Sequence, residues 1–313
     1  MNTVFVEADV DVDDDDDVRR EHLYDGQIHI ITPRPSSLAV VEWTRELIED
    51  AFAPFDPLSA QYEMDVRRFV DIFAPLKPKF IHHPKTKQLL RDLLLDVGCD
   101  EDSTYLDVPR LRGVTSDGYL TAGVGYAHPL HRDTWWSAPL QQLNWWMPIY
   151  PFESNSSMAF HPAHWNKHVE NTSGDFDYYE WNQGGRAEAA KHVTSDSRVQ
   201  PHIVQEPAPD PDPQIRFVVP PGGLVIFSGQ QMHSTVLNTT GLTRFSIDFR
   251  TVNIADVEAG RGAPNADSAP TGTSLRDFRR LRDAAEMPER LARLLDPREI
   301  DLTMAVFKPN VGL

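Results

Sequence analysis

The sequence predicts an α+β protein, mainly β at its centre, in which an antiparallel barrel or jelly roll carries helices at both ends. Apolar residues at helical spacing dominate the first hundred positions. Short β-rich runs bounded by turn residues follow from Thr104 to about Val252. No helical segment separates those runs, as a parallel sheet would require. At 313 residues the chain exceeds the usual domain size, yet barrels and sandwiches with added helices reach this length as one unit. We therefore read 26–313 as one domain.

Residues 1–25 read as an acidic, disordered tail. Glu7, Asp9, Asp11 and Asp13 through Asp17 place eight acids and no Lys or Arg in the first 17 positions. The run DVDDDDDV lacks the glycine and distant glutamate of a calcium loop. The formal net charge is −17, and removing those eight acids leaves −9, which opposes binding to nucleic-acid phosphates.

The helical part spans 36–98. Leu38, Val41, Leu47, Ile48, Ala51 and Phe52 recur at helical spacing after Ser36 and Ser37, either of which can cap. Further helices are expected near 58–74 and 84–97, the latter closing on a glycine. The β core spans about 104–252 and includes TYLDVPRLRGV, QQLNWWMPIY, FVVPPGGLVIF and TRFSIDFRTV. The stretch 165–214 is too long for a hairpin loop and reads as a lid-like insert. SLRDFRRLRDAAEMPERLARLL, 274–295, reads as an amphipathic helix.

The stretch HPLHRDTWW carries the chemistry. In a strand, His131 and Asp133 project together and Arg132 points away, so the pair can share one metal ion. Iron(II) in non-heme oxygenases takes two imidazoles and one carboxylate, leaving the opposite face open. The best third ligand is His233, after the glycine turn and apolar strand PPGGLVIF. Eleven residues on, Arg244 opens an alternating strand. Arg244, Ser246, Asp248 and Arg250 share one face, and Phe245, Ile247 and Phe249 share the other. A buried arginine there needs an anion, which a dicarboxylate co-substrate supplies, with Ser246 donating a further hydrogen bond.

The order His131-x-Asp133, NSSMAFHPAHW (155–165), Gly222-Gly223, His233, Asn238 and Arg244 resembles the iron(II)/2-oxoglutarate oxygenases related to phytanoyl-CoA dioxygenase. The resemblance covers roughly 104–252. It implies a double-stranded β-helix, the cupin-like jelly roll, in which His131, Asp133 and His233 bind Fe(II) and Arg244 holds the far carboxylate of 2-oxoglutarate. It also implies O2 as second co-substrate, succinate and carbon dioxide as products, and attack on a substrate C–H bond, with hydroxylation the default and desaturation or ring closure as alternatives. The chain departs from the family at HPAHW, where a segment like PGSH is common: Pro162 and His164 fit, His161 and Trp165 do not.

Around this centre, Trp135 continues the inward register as a candidate substrate contact and Trp136 faces outward. In QQLNWWMPIY, Leu143, Trp145 and Met147 share an apolar face expected beneath the helices. Gln142, Asn144 and Trp146 share the other, from which Asn144 can reach 2-oxoglutarate. Arg250 and Arg110 are candidates for a substrate carboxylate, hence a small polar, amino-acid-derived substrate. His128 and His164 are read as structural. A non-catalytic ligand-binding jelly roll and a zinc-dependent hydrolase using the same ligands stay open as alternatives. So individual an insert suits natural-product biosynthesis. The single cysteine, Cys99, the absence of an apolar run of membrane length and the acidic N-terminus fit a cytoplasmic protein. Sequence leaves the oligomeric state open.

Overall fold

The computed structural model describes residues 6–7, 15–122, 128–184 and 200–300. Helices α1 (Asp16–Tyr24), α2 (Pro35–Phe52), α3 (Val66–His82) and α4 (Pro84–Asp96) lie in the N-terminal third. Strands β1 (Val6–Glu7) and β2 (Ile28–Ile31) flank α1. Next come β3 (Thr104–Leu106), β4 (Arg110–Val114), β5 (Leu143–Pro148), β6 (Met158–Phe160), α5 (Tyr178–Gly184) and β7 (Ile215–Arg216). The chain continues through β8 (Leu224–Ser228), β9 (His233–Thr235), β10 (Arg244–Asn253), α6 (Ile254–Ala259), β11 (Arg279–Arg280) and α7 (Glu289–Leu295).

The larger sheet runs β1-β2-β8-β5-β10-β3-β11, with β4 also on β10; the smaller runs β7-β6-β9. Apart from the parallel β1–β2 pair, the strand pairings are antiparallel. The fold is thus α+β with antiparallel sheets.

The two faces of β10 decide where the site lies. Phe245, Ile247 and Phe249 join Leu143, Trp145 and Met147 of β5 in the main core beneath α2, α3 and α4. Trp145 stacks on Phe249 at 5.7 Å, and Phe245 meets the edges of Phe52 and Phe73. Gly113 permits this approach, since a Cβ there would lie 3.0 Å from the Phe73 ring. The opposite face carries Arg244, Ser246, Asp248 and Arg250. It is set against the smaller sheet by a second cluster that includes Trp146, Phe160, Val225 and Phe227.

Three expectations are corrected. The tail reading fails from Asp15 onward: Asp15 caps α1 by accepting from the Asp17 N–H, and Asp16 and Asp17 occupy its first turn, where the helix dipole favours acids. Arg19 pairs with Asp16, and Arg20 with Asp16, Asp17 and the fully buried Asp256. Tyr24 also donates to Asp256, at 2.9 Å. The acids of this turn are neutralised by Arg19 and Arg20 and by Arg261, which lies 244 positions from Asp17. The helix expected near 58–74 is α3 and starts later, because the Asp65 carboxylate caps it by accepting from Arg68 N–H. The C-terminal helix is confined to α7; Ser274–Asp277 forms a 3₁₀ turn and β11 pairs with β3.

Asp256→Ala would strand Arg20 with two pairings instead of three and remove the Arg261 contact. The expected loss is about 3 kcal/mol of unfolding free energy, as for a broken buried ion pair. Urea titration checks this, and an unchanged midpoint would rule out α1 as an anchored element.

Candidate metal centre

His131 and His233 are joined through their backbones. Each N–H donates to the other's carbonyl at 2.9 Å, an isolated antiparallel bridge, and their rings lie 4.2 Å apart. Asp133 does not continue a strand. It opens a 3₁₀ turn, Asp133–Trp136, with its N–H donating to the Gly229 carbonyl at 3.0 Å. The turn still delivers the carboxylate: ligand atoms of His131, Asp133 and His233 all lie within 4.8 Å of one another.

Their protonation suits a metal. His131 Nδ1 lies 2.7 Å from the Pro129 carbonyl and His233 Nδ1 lies 2.9 Å from that of Gln231. A carbonyl only accepts, so each Nδ1 carries the hydrogen and each Nε2 presents a lone pair. Those Nε2 atoms lie 3.5 and 3.8 Å from Asp133 Oδ1, too far for strong hydrogen bonds and close enough for one ion to touch all three. Burial pushes His233 down to about 3, so it is neutral at physiological pH. Burial opposes ionisation of Asp133, but the Arg250 guanidinium beside it counters that cost, and the carboxyl is held well below its usual range. Neutral imidazole and ionised carboxylate are the ligand states that iron(II) requires.

The second carboxylate oxygen is held from behind. Asp133 Oδ2 accepts from Asn144 Nδ2 at 2.9 Å and Gln142 Nε2 at 3.2 Å, with Arg250 at 3.5 Å. Asn144 therefore holds the Asp133 carboxylate from the cavity wall. Arg250 lines the cavity as well, 3.1 Å from Asp248 and 3.9 Å from Asp107. Arg110 lines the cavity but donates to Asp107 at 2.7 Å and the Val108 carbonyl at 3.0 Å.

The centre opens on a cavity of about 420 Å³, within the range of small-molecule sites. Arg244 lines it. Its guanidinium donates to the Ser156 carbonyl at 2.8 Å and lies 5.5 Å from the Trp146 ring centroid. Burial lowers its pKa to about 10, leaving it charged at neutral pH. Arg244 Nε and Ser246 Oγ, both buried and on the same face of β10, have no partner. Two orphaned buried donors on one strand face form a place for an anion.

Trp135 does not keep the inward register expected of it. It turns away from the cavity, packs with Val169 and Met232, and donates from Nε1 to Asp267 at 2.8 Å. Trp136, expected outside, lines the cavity with its ring 5.2 Å from His131, edge to face. The cause is the 3₁₀ turn, which replaces strand alternation after Asp133.

Arg132 escaped the sequence reading apart from its direction. Fully buried, it satisfies all its donors: Nε to Asp267 at 3.0 Å, Nη1 to the Gln230 and Trp165 carbonyls at 2.7 and 3.2 Å, Nη2 to those of His164 and Lys167 at 2.6 and 3.0 Å. One guanidinium thus ties the metal loop to the β9 approach and the insert. His161 and His164 serve the insert too, contacting the Pro211 and Asp210 carbonyls at 2.6 and 2.8 Å. Arg132→Met leaves Asp267 buried with no cation, so a loss of roughly 3–5 kcal/mol is expected in chemical denaturation. A loss under about 1 kcal/mol would contradict this role.

The described part of the insert reaches the cavity through Phe176, Tyr178 and Trp181. Its stretch 185–199 lies outside the described residues.

No protein-family model and no curated protein matches the chain. Solved structures similar to it include EvdO2 from Micromonospora carbonacea var. aurantiaca complexed with 2-oxoglutarate, at 12% identity and TM-score 0.42 over 81% of this chain and 94% of that one. The non-heme alpha ketoglutarate dependent epimerase SnoN from nogalamycin biosynthesis is 14% identical, with TM-score 0.36 over 76% and 84%. AviO1 from Streptomyces viridochromogenes Tue57 is 14% identical, with TM-score 0.37 over 76% and 92%. Likeness at this level leaves the functional reading to the site's own geometry.

Proposed function

We propose that this chain is a non-heme iron(II)/2-oxoglutarate-dependent oxygenase, its two sheets forming a double-stranded β-helix. One observation carries the reading: His131 Nε2, Asp133 Oδ1 and His233 Nε2 converge at the wall of a cavity lined also by Arg244, whose Nε has no partner, with the unpartnered Ser246 hydroxyl on the same face of β10. Iron(II) bound by those three ligands supplies, with 2-oxoglutarate and O2, the oxidative decarboxylation that drives attack on a substrate C–H bond. The chain's own residues set the conditions. Arg244 and Ser246 seat the far carboxylate of the keto acid. Gln142, Asn144 and Arg250 fix Asp133 so that only Oδ1 faces the ion. Phe160 and Phe227 pack around His233 and keep water from that side.

A zinc hydrolase needs a carboxylate ready to take a proton. The nearest acids are committed, Asp248 to Arg112 and Arg250, and Asp107 to Arg110. That set gives the hydrolase no base and leaves Arg244 without a task. The substrate is a small molecule, hydroxylation the default outcome, and natural-product biosynthesis the setting, where a chain-specific insert over a shared metal centre selects the substrate. No helix among the described residues is long and apolar enough to cross a membrane. We place the reaction in the cytoplasm, consistent with a sole cysteine buried as a thiol.

The test is spectroscopic. Anaerobic protein loaded with iron(II) should gain a weak visible charge-transfer band when 2-oxoglutarate is added. Good iron loading without that band would remove the oxygenase reading.

A further inference from the structure

The cavity lining is of two chemical kinds, an ionic set that reaches Asp133 through Arg250 and an aromatic cluster that reaches His131 through Trp136. The ionic set belongs to the co-substrate and the metal ligands. The aromatic wall is made by Trp136, Phe176, Tyr178, Trp181 and Phe278. Resting on the oxygenase reading, we infer that this aromatic part is the substrate subsite, and that it takes a flat, uncharged ring system bearing a hydroxyl or similar polar substituent.

The wall comes from three separate parts of the chain. Trp136 follows the metal loop, with its ring edge-to-face against His131 at 5.2 Å and 82°. Phe176, Tyr178 and Trp181 come from the insert, Phe176 and Trp181 being 5.8 Å apart with planes inclined at 51°. Phe278 follows the 3₁₀ turn Ser274–Asp277, and is itself 1% exposed. Tyr178 is pinned by a hydrogen bond to Asp277, and the insert by Tyr178 N–H to the Thr271 carbonyl at 3.1 Å. Rigid rings held in fixed, mutually inclined planes favour stacked and edge-on contacts with another ring over a flexible aliphatic chain.

Polar groups beside these rings include Asp277, whose carboxylate accepts from the Tyr178 hydroxyl, and Ser274. Ser274 Oγ lines the cavity, is buried and has no hydrogen-bond partner, while its backbone N–H is fixed to the Ser137 carbonyl at 3.0 Å. A buried unpartnered hydroxyl beside aromatic walls is satisfied by a substituent on the ring that fills them. A cationic ligand, the other customary guest of an aromatic cage, is opposed by charge. Arg110, Arg112, Arg244 and Arg250 balance Asp107, Asp133, Asp248 and Asp277 around the cavity, and the two charges of bound iron would make it net positive. Because Trp136 abuts a metal ligand, a ring stacked there presents its C–H bonds toward the centre.

The test uses 2-naphthol as probe, with decahydro-2-naphthol as its saturated counterpart and choline as a cation, titrated into the full chain without added metal by ligand-observed NMR. Saturable binding of 2-naphthol is expected, about tenfold tighter than decahydro-2-naphthol. Trp136→Ala and Trp181→Ala should each weaken it about tenfold, and Ser274→Ala about threefold. Trp181 is only partly buried and its variant keeps the test available should Trp136→Ala fail to fold. Non-saturable binding, equal affinity for the saturated analogue, preference for choline, or tryptophan variants of native circular dichroism that bind as before would each overturn the inference. Loss of the iron–2-oxoglutarate band with naphthol binding intact would instead sink the oxygenase reading alone.

Discussion

His233→Ala abolishes iron retention and lowers succinate formation by more than about 100-fold, since loss of even a supporting residue costs 10–100-fold at such centres. Two donors remain, and the open side faces a cavity that admits water. The fold should survive. The His131–His233 bridge is made by backbone groups, which alanine keeps, and β9 stays paired with β6. The chief structural loss is the hydrogen bond to the Gln231 carbonyl, about 1–3 kcal/mol if that acceptor stays dry. His131→Ala should behave alike. His128→Ala is the discriminating control: its ring lies 5.2 Å from His131 but supplies no ligand atom, so iron binding should persist. Metal analysis after anaerobic reconstitution decides the matter. Full iron content in His233→Ala, or its loss in His128→Ala, would show that a different set of side chains holds the ion.

How much of this centre was legible in sequence depends on whether the interactions that fix it are local. The alternation in RFSIDFR was legible because both faces of β10 are buried in chemically opposite surroundings, so period two survives as an aromatic–ionic pattern. The same holds for Leu143, Trp145 and Met147. The grouping of His131, Asp133 and His233 was legible from residue type and order. Their local geometry was not: DTWW has the β-branched and aromatic composition of a strand, and what bends it is the capture of Asp133 N–H by Gly229 and of Arg132 by carbonyls up to 98 positions away. Trp135 and Trp136 exchanged places for that reason alone. The acidic N-terminus misled similarly, since Asp16 and Asp17 are tolerable only once Arg19, Arg20 and Arg261 surround them. Gln142 belongs with these misses: nothing in its strand marks it as the partner of a carboxylate in a different loop.

Arg244→Lys raises the 2-oxoglutarate concentration needed for half-maximal turnover by about 10–100-fold, equivalent to roughly 1.4–2.8 kcal/mol, while turnover at saturation changes much less. One Arg244 nitrogen donates to Ser156, Nε is unpartnered, and the guanidinium rests against Trp146. An arginine so placed is pre-positioned to meet a carboxylate with two parallel donors. Lysine replaces that fork by a point charge on a differently shaped stem, and must choose between the Ser156 carbonyl and the incoming anion. Burial also lowers a lysine pKa more readily than that of arginine, weakening the charge itself. Ser246→Ala removes one neutral hydrogen bond from the same face and should cost about 3–10-fold. Iron content should be unaffected in both variants, because neither side chain is a ligand, which separates co-substrate anchoring from metal loss. Thermal stabilisation by 2-oxoglutarate gives a second readout: it should shrink in Arg244→Lys, since the anion no longer satisfies the orphaned donor. An unchanged 2-oxoglutarate requirement, with sensitivity appearing in Arg110 or Arg112 variants instead, would relocate the anchor to β4 and reverse the orientation of the keto acid in the cavity.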